Sequence, residues 1–446
     1  MSAELFQPDR LREHLQEGTR AVFQGRVEVV SGVLVEATGV PAALGELCRI
    51  HRGAAGHIDA EVVGFRNGST LLMPHGELEG VAPKQLVTSL DRSFRIPCSD
   101  KLLGRVVDGY GHPIDDGPAL PVDNLRAVRQ PAPGPLSRTP IDEPLQTGVR
   151  VIDSLLTIGR GQRMGIFAGS GVGKSSLLGQ ITRGTDADVV VCCLVGERGR
   201  EVQDFVHEVL GRDGSRESVM VVATSDRAPI ERYLAPFVAV TIAEHFRDQG
   251  KNVLLVMDSV TRFAAACREI GLAAGEPPTV RGYPPSFFAT VPKLVERMGR
   301  ANGGSITGLL TILLDGDDPN EPVADTLRGL LDGHVFLSRD MASSGHFPAV
   351  DVLNSLSRLM PTLASSDHQA QARSLRESLS AWRDGRDLVE IGAYKPGSNP
   401  KLDLAMQRMP IIDTFLKQTT TELNALDETL ELLGLVTGAT VPEMTS

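Results

Sequence analysis

The chain has 446 residues, 41% hydrophobic and 4% aromatic, which is too long for one core and ordinary for a soluble globular protein. Forty-five lysines and arginines against 56 aspartates and glutamates leave a net charge of −11, which argues against general nucleic-acid binding, since duplex affinity rests on neutralising phosphates. The five cysteines (Cys48, Cys98, Cys192, Cys193 and Cys267) are odd in number and lack CxxC spacing, so neither a disulfide framework nor a cysteine zinc site is indicated. No apolar run approaches the roughly 18 residues of a membrane span and the N-terminus lacks a signal-peptide pattern, so a cytosolic location is expected.

Residues 1–20 hold a short amphipathic stretch, Pro8 to Glu17, with Leu11 and Leu15 four apart. Alone it is too short to be a stable helix, so it is either a solvated tail or a segment docked on something else. Residues 21–92 change to short alternating runs: Val27 to Val30, Leu47 to Ile50, Ile58 to Phe65, Thr70 to Met73 and Gln85 to Val87. Ser31-Gly32, Asn67-Gly68 and His75-Gly76 supply turns, and Asn67-Gly68 is the strongest hairpin signal. A small closed β-barrel is the economical architecture.

Residues 93–365 form the next domain. Pro118 to Pro144 read as a wrapping linker, after which apolar strands alternate with helices. Met164 to Phe167, Val189 to Val195, Val219 to Ala223, Val253 to Met257 and Ile306 to Leu314 read as buried parallel strands, with helices such as Glu201 to Leu210 and Ile230 to Gln249 between them. This predicts a RecA-like doubly wound α/β core whose ligands sit at the carboxyl ends of its strands. Residues 366–446 are rich in helix formers, with helices expected over Gln369 to Asp384, Pro400 to Arg408 and Ile411 to Leu433.

The sharpest motif joins the strand Met164–Phe167 to the turn Gly169-Ser170-Gly171-Val172-Gly173 and then Lys174, Ser175 and Ser176. Glycines let successive backbone N–H groups curl toward phosphates, and the helix N-terminus adds partial positive charge. Lys174 then reaches the β- and γ-phosphates of ATP, and the Ser175 hydroxyl ligates magnesium. The strict pattern places glycine where this chain has Ala168, a departure that is harmless if its φ is negative. Asp258 closes the run Leu254 to Met257, where a carboxylate can hold magnesium through its water shell; the bland alternative is a helix cap. Glu197 follows the apolar run ending at Val195 and can orient the water that attacks the γ-phosphate, or else belong to a surface charge cluster.

From Ala21 onward the chain resembles the hexameric ATPases related to the catalytic subunit of rotary ATP synthases. Within them it most resembles the protein-export ATPases of bacterial flagella and type III secretion systems. The segments that carry this are Gly148 to Asp153, Gly161 to Phe167, Gly196 to Val202, Val222 to Asp226, Met257 to Phe263, Glu269 to Pro278, Gly282 to Ser286, Asp332-Gly333-His334 and Ile391 to Tyr394. The resemblance implies that Glu197 is the catalytic glutamate, that Arg198 neighbours it, and that Arg262 lies near the γ-phosphate. It places Phe347 on the adenine ring and makes Arg358 a finger entering the neighbouring subunit's site. Because one chain carries both glutamate and finger, a self-sufficient homohexamer is expected.

The resemblance further implies a stator or regulator bound at the N-terminal segment, contacts with export-gate proteins and chaperone–substrate complexes, and peripheral association at the inner face of the cytoplasmic membrane. His346 to Asp351 and Gly392 to Ser398 favour the flagellar branch over virulence secretion. A non-catalytic nucleotide-binding subunit would carry a poor base at position 197. A hexameric RNA translocase would need a basic, aromatic barrel. An ion-translocating synthase subunit is disfavoured by the export-type segments.

Overall fold

The structure, a computed structural model, describes residues 24–210, 217–314, 316, 318 and 321–438. The N-terminal segment of residues 1–20, with its amphipathic stretch Pro8 to Glu17, lies outside them. Among the described residues no helix is long and apolar enough to cross a membrane.

One compact unit contains the described residues up to Phe94, with residues 228–230 and 270–276. Its strands are β1 (Gln24–Ser31), β2 (Leu34–Thr38), β3 (Glu46–His51), β4 (His57–Arg66), β5 (Ser69–Pro74) and β6 (Leu86–Ser93). They close into a barrel in the order β1-β2-β5-β4-β3-β6. Asn67 and Gly68 both have positive φ (49° and 84°), as a two-residue hairpin turn between twisted strands requires, and they pair Arg66 with Ser69. Val35, Cys48, Ile50, Ala60, Val62, Leu72 and Val87 fill the interior. Strand β2 was not among the expected runs, although Leu34-Val35-Glu36-Ala37 alternates as an edge-to-core strand does.

The second unit holds the rest of the described chain. Its sheet is built from β7 (Val106–Asp108), β8 (Arg163–Ala168), β9 (Val189–Val195), β10 (Ser218–Ala223), β11 (Asn252–Asp258), β12 (Gly304–Leu313), β13 (Gly333–Leu337) and β14 (Leu356–Ser357). The order is β14-β13-β8-β12-β11-β9-β10-β7, parallel along this path except for the edge strand β14, and the short strand Gly299–Ala301 pairs antiparallel with β12 off it. Both faces are covered, so every residue of β9 and β10 is buried, which is why these strands read as unbroken apolar runs. The helices α1 (Arg150–Leu155), α2 (Lys174–Gly184), α3 (Gly199–Leu210), α4 (Pro229–Arg247) and α5 (Val260–Ala273) link or flank these strands.

Two long helices and a shorter one end the described chain: α6 (Ser366–Glu390), α7 (Pro400–Leu416) and α8 (Leu426–Thr437). Ser365 and Asn399 cap α6 and α7, each accepting from a backbone N–H of the first turn. Here the expected helix boundaries are corrected. Helix α7 runs straight through Pro410, which a Pro-based boundary would have placed at a break, and the chain leaves the helix instead between Lys417 and Ala425. The β-branched run Thr419 to Thr421 disfavours helix, and its backbone is committed to other partners, described below.

Candidate active site

Four adjacent strands deliver their carboxyl ends to one place. In sheet order these are β8, which runs into the glycine-rich turn, then β12 with Thr311, β11 with Asp258, and β9, two residues before Glu197. Neighbouring strands lie about 4.8 Å apart, so the groups span roughly 14 Å from β8 to β9, a distance the long Lys174 side chain helps to bridge.

The turn explains its own sequence. Ala168 is the last residue of β8, and its carbonyl accepts from Leu314 N at 2.9 Å; in extended backbone it needs no glycine. Gly173 does need to be glycine. Its φ is 88°, and a Cβ there would come within 3.1 Å of the Phe347 ring. It is the residue from which α2 springs, and no side chain caps that helix, so first-turn N–H groups are left for a ligand. Val172 is buried, whereas Ser170, Ser175 and Ser176 are exposed. The Ser170 carbonyl accepts from Arg339 Nη1 at 3.3 Å, and Gly169 and Gly171 complete the turn.

Lys174 Nζ donates to Asp258 Oδ1 and stands 3.7 Å from Glu197 Oε1. The same Asp258 oxygen accepts from the Thr311 hydroxyl at 2.7 Å, and Thr311 is fully buried. Arg262 Nη2 lies 3.9 Å from the other Glu197 oxygen, Oε2. Gly196, with φ 68°, holds the backbone flat against Arg262; an added Cβ would meet Arg262 Cβ at 2.9 Å. Glu197 is 7% exposed, and its Oε1 makes no hydrogen bond to any described group. An orphaned buried carboxylate oxygen facing a phosphate loop is what a positioned water or ligand hydroxyl would satisfy. Burial pushes the Glu197 carboxyl up to about 7. Lys174 and, less, Arg262 pull it down, while the Asp258 charge and Glu201 push it further up.

The other expected residues lie apart from this cluster. Arg198 is largely exposed and pairs with Glu201 at 3.7 Å, one turn along α3. Arg358 is exposed beside the edge strand β14; its backbone N–H donates to Asp332 O at 3.0 Å and its guanidinium to Arg328 O at 3.4 Å. Among the described residues, no hydrogen bond or ion pair links it with Lys174, Glu197 or Asp258. Phe347 is 44% exposed and forms one wall of a cleft of about 560 Å³ next to Gly173, a volume suited to a nucleoside-sized ligand.

The opposite wall of that cleft was not legible in the sequence. It is the segment Lys417 to Glu422, where α7 stops. Gln418 N donates to Phe347 O at 2.9 Å, and Gln180 of α2 donates to the carbonyls of Thr419 and Glu422 at 3.1 and 3.0 Å. The Thr-rich run after a long helix was the available signal. Thr311 escaped notice as well, since a threonine inside an apolar strand reads as core.

Two family models match the chain. The ATP synthase alpha/beta family, nucleotide-binding domain, covers residues 148–357, and the C-terminal domain of the type III secretion ATPase EscN covers 364–434. The flagellum-specific ATP synthase of Bacillus subtilis is 49% identical over 417 residues, 93% of this chain and 95% of that protein. The type 3 secretion system ATPase of Xanthomonas euvesicatoria is 48% identical over 414 residues, 93% and 94% of the two chains. Among solved structures, assembled EscN from the enteropathogenic E. coli type III secretion system superposes with a TM-score of 0.88 at 42% identity, over 93% of this chain and 100% of that one. A second structure holds EscN with its central stalk EscO, with a TM-score of 0.85. The chain belongs to the ATP synthase alpha/beta family, in the branch of the flagellum-specific and type III secretion ATPases.

Proposed function

We propose that this chain hydrolyses ATP as a homohexameric ring that energises chaperone release, unfolding and export of proteins through a flagellar apparatus. The observation that carries the catalytic reading is the convergence of Lys174, Asp258 and the orphaned Glu197 Oε1 at the carboxyl ends of adjacent strands. The amides of Gly169 to Ser176 and the Lys174 ammonium bind the phosphates, and Phe347 stacks on the base. Glu197 holds and polarises the attacking water through Oε1, Arg262 lies toward the γ-phosphate, and Arg198, next to Glu197 in the chain, reaches the site from its exposed position just before α3 when nucleotide binds. The residues fit a magnesium ion, since the Ser175 hydroxyl and the Asp258 carboxylate are hard oxygen donors beside the cradle. The ion would supply charge neutralisation on the phosphates.

Self-assembly of the EscN relative supports the ring, and its stalk complex supports a stalk-type partner. Relatives from both branches are nearly equally identical, so the flagellar preference rests on His346 to Asp351 and Gly392 to Ser398. A regulator at residues 1–20, export-gate proteins and chaperone–substrate complexes complete the proposed partners, at the inner face of the cytoplasmic membrane.

The pH profile tests the glutamate. Only ionised Glu197 can accept a proton or strong hydrogen bond from water, and its carboxyl sits at about 7 in the free protein. Therefore kcat/KM for ATP should rise with pH through about 6 to 8 and level off above, because that ratio reports free-enzyme ionisations. A flat profile across this window in steady-state assays would remove Glu197 from the role.

Thr311 offers a second test. Its hydroxyl holds the same Asp258 oxygen that Lys174 reaches and so fixes the orientation of the carboxylate. Thr311→Val keeps the shape and deletes the donor. Half-saturating magnesium should rise several-fold and turnover fall on the order of tenfold, with Thr311→Ser restoring both, as expected when a hydrogen bond to a charged group is lost. Manganese affinity, followed by electron paramagnetic resonance with bound nucleotide, should weaken in parallel. Unchanged metal affinity would assign Thr311 to packing alone.

A further inference from the structure

Arg150 lies outside the phosphate loop, outside the cleft lining and outside every role described above, yet it is 6% exposed and its guanidinium is bonded through all three of its nitrogens. It opens α1, whose start is fixed by buried Asp153. That carboxylate accepts from Thr147 N, Thr147 Oγ1 and Gly148 N at 2.9, 2.7 and 3.0 Å. From this anchored position the Arg150 backbone N–H donates to Gln418 Oε1 at 2.9 Å, and its guanidinium Nε donates to Phe415 O at 2.9 Å. Nη1 donates to Glu422 and, at 2.9 Å, to Asn424 Oδ1, while Nη2 donates to Lys417 O. Five successive contacts therefore run along one stretch of chain from the last turn of α7 to the segment before α8.

That stretch is the far wall of the cleft beside Gly173 and Phe347. The segment has no regular hydrogen bonding of its own, so its carbonyls need outside donors. A guanidinium supplies several in a fixed plane; a lysine ammonium does not. Gln418, itself held by Arg150 N, passes the constraint on: its backbone N–H holds the Phe347 carbonyl, and its Nε2 donates to Gly148 O at 2.8 Å. The Arg150 guanidinium thus fixes the wall, and its backbone N–H, through Gln418, ties that wall to the Phe347 backbone.

We propose that Arg150 is a positioning residue for base recognition: it holds the Lys417–Asn424 segment against Phe347, so that ATP gains affinity from its nucleoside and not from its phosphates alone. This rests on the reading of the cleft as the base site, and the test separates the two. Equilibrium binding of ATP and of inorganic tripolyphosphate would be measured without divalent cation, to prevent turnover. The wild type should bind ATP tighter than tripolyphosphate. Arg150→Met, which keeps an unbranched stem and the backbone N–H to Gln418 but removes every guanidinium donor, should weaken ATP binding on the order of tenfold or more and leave tripolyphosphate within about twofold, as expected when a preorganised wall is loosened. Arg150→Lys should fall between, and KM for ATP should rise with kcat nearly unchanged.

Equal weakening of ATP and tripolyphosphate would mean that Arg150 supports the phosphate loop, and unchanged binding of both would mean that it supports the fold alone; either overturns the proposal. A wild type that does not favour ATP over tripolyphosphate would overturn the cleft reading itself, and the proposal with it. Should Arg150→Met fail to fold, Glu422→Gln removes charge from the more exposed partner of the same pair and should shift ATP binding about threefold in the same direction. No shift there would count against Arg150 equally.

Discussion

Glu197→Gln should bind ATP almost as well as the wild type and turn it over about 10²-fold or more slowly, because the amide keeps the shape of the side chain and loses the charge that polarises water. Lys174→Ala should instead weaken nucleotide binding and turnover together, since its ammonium is a phosphate contact in both ground and transition states. The contrast between kcat-only and combined loss separates a group acting on water from one acting on phosphate. A Glu197→Gln protein with wild-type turnover would assign water activation elsewhere.

The same substitution carries a stability signature of opposite sign. The Glu197 carboxyl sits at about 7 in the fold against its ordinary 4.5, so the folded state holds its proton more tightly than the unfolded chain. That contribution is fully present below about 4.5 and is lost as pH rises through about 7. Above that range the free protein carries a buried carboxylate whose Oε1 makes no protein hydrogen bond, and glutamine removes that cost. Glu197→Gln should therefore melt at a higher temperature than the wild type at pH 8, with the gap closing toward pH 5. A less stable variant at pH 8 would show that Lys174 and Arg262 more than compensate the burial. Losing activity while gaining stability is the behaviour of a residue placed for chemistry.

How much of this was legible before the fold was known depends on where each constraint originates. Ser175 was legible from its place after Lys174 in the phosphate loop, and Lys174, Asp258 and Glu197 because each closes or follows a strand whose burial on both faces is written into the sequence as an apolar run. Their meeting needed only parallel topology. The cleft wall was different. Pro410 has the chemistry of a helix break, but the helix continues, with the Pro410 carbonyl accepting from Thr414 Oγ1 at 2.9 Å. The true break at Lys417 is set by donors more than 260 residues away in sequence, Arg150 foremost. No local pattern encodes a partner at that separation. Thr311 was hidden for a related reason: its hydroxyl matters only because β12 is inserted between β8 and β11, a fact of sheet order. Arg358 remains exposed just past the edge strand β14, bonded to none of Lys174, Glu197 and Asp258 among the described residues, so nothing within this fold gives its role.

Arg358→Ala should lower ATP turnover by about 10³-fold in the assembled protein while leaving nucleotide binding nearly intact, the size of loss seen when an arginine finger is removed from phosphoryl transfer. Its position supports a role in trans. The backbone of Arg358 is tied to Asp332, and Asp332 is in turn held by Arg163, the first residue of β8, with Nε and Nη2 at 3.0 and 3.1 Å from the two carboxylate oxygens. The finger is thus braced on the strand that carries its own phosphate loop, yet it stands on the opposite side of that strand from β12, β11 and β9. A finger so placed serves its own site poorly and a neighbour's well. Mixing inactive Glu197→Gln with inactive Arg358→Ala should then restore activity, because an interface that takes Glu197 from one variant and Arg358 from the other is whole. With random assembly of equal amounts, roughly a quarter of interfaces (one half times one half) meet that condition in a closed ring of identical contacts. Specific activity of the wild type should rise with protein concentration for the same reason. A mixture no more active than its components, or a monomer with full and concentration-independent turnover, would confine Arg358 to its own chain and end the shared-site reading.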